Sequence, residues 1–497
     1  MKVKGLRWFV LGLIVLITII NYLDRGTLNY MWITNTKVNY NLVIDSSKAN
    51  NSVYATFNPS TKIYTLHNAD GSSKTVSEEF IVVNGDKTSI QYIKKGGIAI
   101  DLGLVDASAN AANMSKQSKK ILSYITMFFM FAYGTSQLIS GKIYDKVGTR
   151  KGFLFSVIIW SLSDMATCFA TGVSSLISLR VLLGLGEAGP WPGTVKSNAE
   201  WFPVKERAFA QGLFGAGGSI GSILAPVIIS MLYIAFGWQH TFIVVGSLGV
   251  LWLIPWFIIN KTSPVTHPWI TDKEKEYILS GQPETKAVDN KAKSWGELLK
   301  RKDSYALILG RFFLDPIWWM FVTWLPIYLG EVFKLDIKQI AFSAWVPYVG
   351  AAIGAIAGGW FSGSLIKKGY TVNKARKIAI LIGACVILPA MIAGAYASTA
   401  LIAVILMAFI LGGFQFAVVN IQTFASDFHT GKTVGSLAGL GGAAAVLGTI
   451  CSMFAIPYIT AGGNWFLFFA MGAVMLPLSI LSIFICSPKK ETGFVNR

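Results

Sequence analysis

The chain has 497 residues, of which 53% are hydrophobic and 14% are charged, and its formal net charge is +18. A soluble globular chain carries about 25% charged residues, so this composition excludes an ordinary set of water-soluble domains. The basic balance does not indicate nucleic-acid binding, because the lysines and arginines lie in short segments between apolar runs, as in the loops of membrane proteins.

Apolar runs dominate the chain, and about twelve of them have the length of roughly 20 residues that a membrane-spanning helix needs. A polar stretch from Asn260 to Asp303 separates the first six from the last six. Within it, TDKEKEYI predicts an amphipathic helix that Thr271 and Glu274 begin with a capping box. The predicted spans are residues 7–30, 118–141, 152–172, 174–199, 207–235, 240–260, 304–333, 338–366, 376–396, 399–426, 434–459 and 464–486.

The loops differ in charge, and the loop after the first span differs from all others in length. Basic residues collect on the side of both termini and of the linker, which predicts cytoplasmic termini and a bacterial inner-membrane location. Residues 31–115 lie on the other side and are polar. The segments SVYATF, TKIYTLH, EEFIVV and SIQYIK, with the turn signals NADGSS and NGDK, predict a small β-rich extracytoplasmic insert.

The resulting fold class is an all-α membrane protein with a small β-rich insert after its first helix. The predicted domains are an N-terminal six-helix half at 1–260 that contains the insert, a cytoplasmic linker at 261–303 and a C-terminal six-helix half at 304–497. A glycine and basic cluster follows the second helix of each half, as GKIYDKVGTRK and as GWFSGSLIKKG, and such internal repeats are common in secondary transporters.

The loop after the second span carries the most specific motif, in which Gly141, Asp145, Gly148, Arg150 and Lys151 follow a fixed spacing. The glycines allow a tight turn between helices, and Asp145 can pair with a basic group or a helix N-terminus across the interface of the halves. This motif predicts a cytoplasmic gate, and it resembles the signature loop of the major facilitator superfamily.

Charged side chains inside the apolar runs are costly in a bilayer and mark function in most cases. An arginine that faces a central cavity suits a carboxylate substrate, and a carboxylate in an apolar surrounding can carry a proton. A structural ion pair is the alternative for each residue and the favoured interpretation of Asp164. The candidates are Asp24, Arg25, Asp164, Arg180, Glu187, Arg311 and Asp315.

Uncharged polar and aromatic side chains on shared helix faces suit a ligand with several hydroxyl groups, although hydrogen bonding between helices is an equal alternative. No histidine lies deep in a span, so a carboxylate would have to carry any coupled proton. No nucleotide, zinc or nucleophile motif occurs, which predicts neither an enzyme nor a cofactor, metal or catalytic residue. The ligand candidates are Asn21, Tyr133, Gln137, Trp319, Thr323, Gln415 and Gln422.

Four stretches carry a closer family resemblance: NYLDRGTL, GKIYDKVGTRK, GEAGPWPG with EWFPVKERA, and RFFLDPIWWMFVTWLP. With them the chain resembles the anion:cation symporter family of the major facilitator superfamily, and within it bacterial hexuronate transporters. The resemblance covers nearly everything except residues 31–115. It implies a fold of twelve transmembrane helices and proton-coupled uptake of a sugar acid by alternating access.

The resemblance also implies roles for individual residues. Tyr22, Arg25 and Tyr133 would bind substrate, with the arginine on its carboxylate, while Asp24 and Glu187 would take part in protonation together with Arg180. The chain departs from galactonate-type relatives at two positions, since a substrate-binding glutamine falls at Gly218 and a tryptophan falls near Asn420. Asn420 thereby becomes a further candidate for substrate contact.

Taken together, the sequence predicts a proton-coupled hexuronate symporter for glucuronate or galacturonate that acts as a monomer. Its predicted partners are a small-molecule sugar acid, protons and membrane lipid, and not nucleic acid. Two alternatives remain: a symporter for another organic anion such as an aldonate, and a membrane sensor that does not transport. The sequence leaves open whether protons or sodium ions are coupled, and in what number.

Overall fold

Helices form most of the chain, because a helix satisfies its own backbone hydrogen bonds where no water is present. The computed structural model describes residues 2–32, 34–42, 53–77, 81–83, 89–105, 111–280, 282, 293–333, 335, 343–429, 431–460 and 465–488. The helices are α1 (Leu6–Met31), α2 (Ile98–Asp101), α3 (Ala111–Ala166), α4 (Val173–Glu187), α5 (Pro190–Trp201), α6 (Val204–Ile259), α7 (Asp272–Ser280), α8 (Trp295–Leu299), α9 (Lys302–Phe333), α10 (Val346–Lys367), α11 (Val372–Ala395), α12 (Ala400–Gln422), α13 (Phe424–Phe428), α14 (Val434–Ile459) and α15 (Phe466–Cys486).

Nine helical segments of the described residues are long and apolar enough to cross a membrane, so this is a multi-pass membrane protein. Two of them run for 50 and 56 residues, far beyond the roughly 20 residues that one crossing needs. Each is interrupted by one left-handed glycine, Gly148 (φ 81°) in α3 and Gly237 (φ 77°) in α6. Each therefore contains two helices joined at that glycine.

The predicted connections around these two glycines were wrong in detail. The residues on either side of Gly148 and Gly237 are helical, where the sequence predicted loops of several residues. Basic side chains such as Lys142 and Lys146 are exposed there, so a helix can extend beyond the apolar run without burying their charge. The predicted fourth span is divided as well, since α4 ends at Glu187 and α5 begins at Pro190. The predicted start of the eighth span, at residue 338, lies outside the described residues.

The segment after α1 forms a six-stranded sheet of order β4-β3-β2-β1-β6-β5. β1 and β2 pair in parallel, and every other pair is antiparallel. β1 and β4 were not predicted, because their sequences, TNTKVNYNL and SKTVS, are mostly polar. The predicted NGDK turn lies outside the described residues. The strands are β1 (Thr34–Leu42), β2 (Tyr54–Asn58), β3 (Ile63–His67), β4 (Ser73–Ser77), β5 (Ile81–Val83) and β6 (Ser89–Gly96).

The long helices pack around separate cores before and after the linker. We call α1 and α3–α6 the N-terminal group and α9–α15 the C-terminal group. The N-terminal group buries two apolar clusters, around Trp160 and around Phe242, and the C-terminal group buries one large cluster around Phe321. Each group is therefore a packed unit, and the surface between them is free to hold polar side chains.

The linker helix α7 docks on the start of α1. The backbone N–H of Glu274 contacts the Thr271 hydroxyl at 3.4 Å, but the Glu274 carboxylate does not complete the predicted capping box. It accepts hydrogen bonds from the backbone N–H groups of Gly5 and Leu6 at 2.8 and 3.1 Å, and from the Arg7 guanidinium at 3.2 Å. We call the end of the helix bundle that holds the start of α1 and this linker the terminal side.

Candidate functional site

A central cavity lies between the N-terminal and C-terminal groups. Its volume is about 60 Å³, which is room for several water molecules. Arginine, carboxylate, amide and phenol groups line it among aromatic rings, the composition of a site for a small polar molecule. Its walls include Tyr22, Arg25, Tyr133, Gln137, Trp191, Gly215, Arg311, Asp315, Trp318, Trp319, Phe414, Gln415, Val418, Gln422, Gly442, Ala445 and Val446.

Arg25 is the cationic centre of the N-terminal wall. Its Nε donates to Glu187 Oε2 at 2.9 Å, and its Nη2 donates to Asn21 Oδ1 at 3.3 Å, one helical turn away. The guanidinium carbon lies 5.1 and 5.0 Å from the ring centres of Tyr22 and Tyr133, so both rings stabilise its charge. The Arg25 side chain is 15% exposed and that of Glu187 is fully buried, so the arginine can meet a ligand while its partner stays sealed.

The C-terminal wall contributes an ion pair and two indoles. Arg311 donates to both carboxylate oxygens of Asp315, at 3.2 and 2.7 Å, across one turn of α9. The two side chains bond each other, so the negative charge of Asp315 is balanced by Arg311 in this state. Trp318 and Trp319 lie beside it on the cavity wall, and Gln415 of α12 faces them. Amide and indole N–H groups can donate to the hydroxyls of a ligand.

Behind Arg25, a second group of charges is buried within the N-terminal group. Asp24 and Asp164 are fully buried, and Arg180 is 4% exposed. Asp24 interacts electrostatically with Asp164, Glu187 and Arg180, and Asp164 interacts with Arg180 and Glu187. The structural ion pair that the sequence favours for Asp164 stays a prediction.

The predicted gate residue Asp145 ties the two groups together on the terminal side. Its carboxylate accepts hydrogen bonds from the backbone N–H groups of Gly435 and Ser436 at 3.0 and 2.6 Å, and from the Ser436 hydroxyl at 2.7 Å. Lys196 of α5 donates to the same carboxylate at 3.2 Å. The start of α14 supplies the N–H groups, so the carboxylate also meets the positive end of that helix. We call this contact the α3–α14 latch.

The other gate residues have different roles around this latch. Gly141 lets the backbones meet, since a Cβ added there would lie 2.2 Å from the carbonyl oxygen of Gly435. Gly148 breaks α3. Arg150 does not reach the C-terminal group, because its guanidinium donates to the carbonyl oxygens of Lys261 and Phe257 at 3.0 and 3.3 Å, within the N-terminal group and the start of the linker.

A second latch on the terminal side was not predicted. Arg376 of α11 donates to Asp427 at 3.0 Å and to the carbonyl oxygen of Val204 at 3.0 Å. Arg207 of α6 donates to the carbonyl oxygen of Ser426 at 2.6 Å. We call these contacts the α6–α13 latch. The sequence signal was the ARK cluster after the eighth span, but nothing in the sequence gave its partner. With both latches formed, the cavity is closed toward the terminal side.

The predicted substrate residue Asn420 lies outside the cavity. Asn420 is fully buried, and its amide nitrogen donates to the carbonyl oxygens of Gly358 and Phe416 at 3.1 and 2.9 Å. The bond to Gly358 joins α12 to α10, whose glycines let the two helices touch and leave a carbonyl oxygen within reach, and the bond to Phe416 lies within α12. Asn420 is therefore a helix-packing residue in this structure, which corrects the prediction that it contacts substrate.

Three aromatic residues of the cavity wall were missed by sequence reasoning: Trp191, Trp318 and Phe414. Each lies in a helix among many apolar side chains, so only the three-dimensional packing separates a cavity wall from a core. Trp191 carries a usable signal in hindsight, since it stands between two prolines after Glu187, where α4 gives way to α5. Most of the other predicted ligand residues line the cavity: Tyr22, Arg25, Tyr133, Gln137, Trp319, Gln415 and Gln422. Asn21 and Thr323 are not among its lining residues.

Comparisons with known proteins agree with this architecture. Residues 14–440 match the Major Facilitator Superfamily model. The hexuronate transporter of Escherichia coli (strain K12) is 31% identical over 67% of this chain and 77% of its own. The galacturonate transporter of Dickeya chrysanthemi is 32% identical over 60% and 85% of the two chains, and a D-galactonate transporter of Escherichia coli O6:H1 is 29% identical over 75% and 86%.

Among solved structures, a proton:xylose symporter has the same fold with a TM-score of 0.62 at 15% identity, over 78% of this chain and 91% of that one. An Escherichia coli fucose:proton symporter gives a TM-score of 0.56 at 12% identity, over 75% and 92%. The family match spans most of the length and the fold agrees with it. The chain is therefore a member of the major facilitator superfamily, a transporter and not an enzyme.

Proposed function

We propose that this protein is a proton-coupled symporter that imports a hexuronate, glucuronate or galacturonate, by alternating access. One observation carries the proposal: Arg25 projects into a cavity between the two helix groups while its carboxylate partner Glu187 is sealed from it. Relatives named for hexuronate and galacturonate transport support the substrate class. A uronate has one carboxylate and several hydroxyls, which matches one arginine among amides, phenols and indoles.

In this mechanism the substrate carboxylate docks on Arg25, and the sugar hydroxyls are held by Tyr133, Gln137 and Gln415. Trp319 and Tyr22 supply flat apolar surfaces for the ring faces. The arginine already donates Nε to Glu187, so a substrate would use its other N–H groups. The substrate would contact polar side chains of both helix groups at once. Its fit would therefore differ between the states of the transporter, as alternating access requires.

Proton coupling follows from competition for Arg25. While Glu187 is ionised it holds the guanidinium at 2.9 Å, and a proton on Glu187 weakens that bond and releases the arginine for the substrate. Asp24, with Arg180 nearby, is the second proton-coupling residue, and Asp315 of the C-terminal wall is a third candidate. Histidine is an unsuitable carrier near the gate, because burial lowers the pKa of His429 to about 4 and keeps it neutral at neutral pH.

The overall organisation belongs to the proposal as well. Twelve spans form two six-helix halves, residues 1–260 and 304–497, joined by a cytoplasmic linker at 261–303. The terminal side faces the cytoplasm of a bacterium, and the insert at 31–115 faces outward from the inner membrane. The transporter acts as a monomer in lipid. In this arrangement the two latches close the cytoplasmic side, and substrate would arrive from outside.

A second substrate class, the aldonates, has specific support in the D-galactonate transporter that resembles the chain over 75% of its length. Against it, Gly218 stands where galactonate-type relatives have a substrate-binding glutamine. A Cβ at that position would lie 2.8 Å from the Tyr22 ring, so the site has little room for a longer side chain. We therefore place hexuronates first. A membrane sensor that does not transport is the remaining alternative.

The test is uptake of labelled galacturonate and glucuronate into proteoliposomes with an imposed pH gradient, with unlabelled galactonate as a competitor. We expect accumulation that collapses when the gradient is dissipated. Arg25→Ala should abolish binding and uptake. Glu187→Gln should keep exchange of substrate for substrate, because exchange moves no net proton, and should lose gradient-driven accumulation.

Three results would contradict the proposal in different ways. Stronger uptake of galactonate than of either uronate would favour the aldonate class. Dependence on a sodium gradient with no response to pH would replace the coupling ion. Absence of uptake of any sugar acid by a well-folded preparation would favour the sensor.

A further inference from the structure

We infer that a second cavity, between α1, α6 and α10 on the terminal side, binds the headgroup of an anionic phospholipid. This cavity has a volume of about 170 Å³ and shares no lining residue with the central one. The proposed function gives it no role, and the inference holds whichever solute the protein carries. Its walls include Trp8, Lys205, Glu206, Phe209, Trp360 and Lys367.

The charged groups of this wall leave two lysines for an anion. The Glu206 carboxylate is already balanced, since it lies 3.3 Å from the Arg7 guanidinium and accepts a hydrogen bond from the Tyr277 hydroxyl at 2.6 Å. The Lys205 ammonium lies 4.7 Å from the centre of the Tyr277 ring. Neither Lys205 nor Lys367 forms an ion pair with a carboxylate of the residues that the structure describes. The cavity therefore suits an anion such as a phosphate diester.

On α10 the cavity continues into a surface that faces lipid. Ile353, Ile356 and Trp360 are exposed and follow one another at helical spacing, so they form an apolar stripe along a membrane-spanning helix. Lys367 lies two turns beyond Trp360 on the same face, and the helix ends there. An anion held by Lys367 thus lies at the end of a path for acyl chains, which is where a phospholipid headgroup would be.

The order of basic and aromatic side chains supports the same ligand. Lys205 lies in the first turn of α6, and Phe209 follows one turn further into the span. The Trp8 ring contacts the Phe209 ring edge to face, with 6.1 Å between their centres. Lysines that reach outward beyond aromatic rings are typical of the membrane–water interface. Basic pockets between transmembrane helices bind anionic lipid headgroups, whereas a soluble phosphate compound would have no use for these rings.

A lipid in this cavity would join the two helix groups. Trp8 and Lys205 belong to the N-terminal group, and Trp360 and Lys367 belong to the C-terminal group. The helices touch here, since a Cβ added at Gly363 would lie 2.5 Å from the carbonyl oxygen of Lys205. If the groups separate on the terminal side, the two lysines move apart and the site is divided. The lipid therefore favours the state in which the terminal side is closed.

The test is native mass spectrometry of the purified full-length protein in detergent, titrated with phosphatidylglycerol. The double variant Lys205→Ala, Lys367→Ala should bind its first lipid about 25-fold more weakly than the wild type, because each lysine beside an anionic lipid contributes about fivefold. The control is Lys300→Ala, Lys368→Ala, which removes the same charge at two exposed lysines outside the cavity and should bind like the wild type. Neither phosphatidylcholine nor soluble glycerol phosphate should compete.

Three results would overturn the lipid site. They are wild-type affinity in the double variant, an equal loss in the control, and competition by glycerol phosphate, which would replace the lipid by a soluble phosphate compound. If the double variant does not fold, Lys367→Gln carries the test with a loss of about fivefold, since this side chain is exposed at the end of a helix.

The bridging role has its own readout. A cysteine placed at Ala445, in a cysteine-free background, should react more slowly with a thiol reagent from the terminal side in phosphatidylglycerol vesicles than in phosphatidylcholine vesicles. The double variant Lys205→Ala, Lys367→Ala should remove this difference. Equal rates in the two lipids with the lysines in place would overturn the bridging role. Neither measurement uses sugar-acid uptake, so the proposed function can fail without deciding the lipid site.

Discussion

Arg25 stands at the junction between the cavity and the buried charges of the N-terminal group. Its guanidinium carbon lies 5.1 and 5.0 Å from the centres of the Tyr22 and Tyr133 rings, and its Nε donates to Glu187. A planar guanidinium with five N–H donors can hydrogen-bond Glu187, Asn21 and a substrate carboxylate at the same time. The ammonium group of a lysine has three donors and lacks the planar fork that matches a carboxylate. The identity of this residue as arginine, rather than its positive charge alone, should therefore decide substrate affinity.

We predict that Arg25→Lys weakens binding of galacturonate while leaving the fold intact. Loss of one charge-assisted hydrogen bond costs about 1.5–3 kcal/mol, which corresponds to an affinity about 10- to 100-fold lower. The measurement is a titration followed by tryptophan fluorescence, since Trp191, Trp318 and Trp319 line the cavity. A lysine variant with wild-type affinity would mean that the positive charge alone suffices, and that the planar geometry of the guanidinium has no part in recognition.

Prediction of individual residues from the sequence succeeded where a motif indicates their chemistry. It failed where residues that are far apart in the chain meet in the fold. The intramembrane charges and the Tyr22 to Arg25 motif gave the polar wall of the N-terminal group. The contacts of Arg376 with Asp427 and with the carbonyl oxygen of Val204 join residues far apart in the chain, and no local pattern encodes them. Asn420 failed for the opposite reason, because a buried amide can bond a neighbouring backbone as well as a ligand.

At the scale of elements, the helices follow from their apolar runs, but the places where they touch follow from glycine. Gly141 of α3 meets the backbone of Gly435 in α14, and Gly439 meets that of Gln137. These contacts lie on the same helix pair as the α3–α14 latch. The length of an apolar run could predict the helices, because a membrane crossing needs roughly 20 apolar residues. It could not predict that α3 and α6 continue as helices up to a single glycine.

We predict that Gly141→Ala prevents the terminal side from closing. The added Cβ would lie 2.2 Å from the carbonyl oxygen of Gly435, so α3 and α14 must separate. Uptake should be lost, and a cysteine placed at Ala445 in a cysteine-free background should become reactive to a thiol reagent applied from the terminal side. Gly12→Ala is the control, since a Cβ at Gly12 meets no atom within 4 Å. Wild-type uptake by Gly141→Ala would show that this contact is not needed for closure.

At the scale of the whole molecule, the latches that close the cavity and the β-rich insert lie at opposite ends of the helix bundle. The α3–α14 and α6–α13 latches and the docked linker all lie on the terminal side, where α1 begins. The insert follows the other end of α1, and its sheet has its own small core of Tyr40, Ala55, Tyr64, Leu66, Val76 and Ile90. The helix α2 that follows the sheet is different. Ile98, Ala99 and Val105 are buried against the N-terminal group, and Asp101 accepts a hydrogen bond from the Trp238 indole at 3.0 Å.

This division predicts which part of the insert the transporter needs. Thr34 and Gly96 face each other as a strand pair, so removal of residues 34–96 leaves two chain ends that a short glycine-serine bridge can join. We expect this deletion to retain the melting temperature and the rate of galacturonate uptake. Deletion of 34–105 is the contrasting variant. It also removes Ile98 and Val105 from the core, at a cost of about 1.5–3 kcal/mol for each buried aliphatic side chain, and should lower the melting temperature. Loss of uptake in the shorter deletion, with an unchanged melting temperature, would place the sheet itself in the transport cycle.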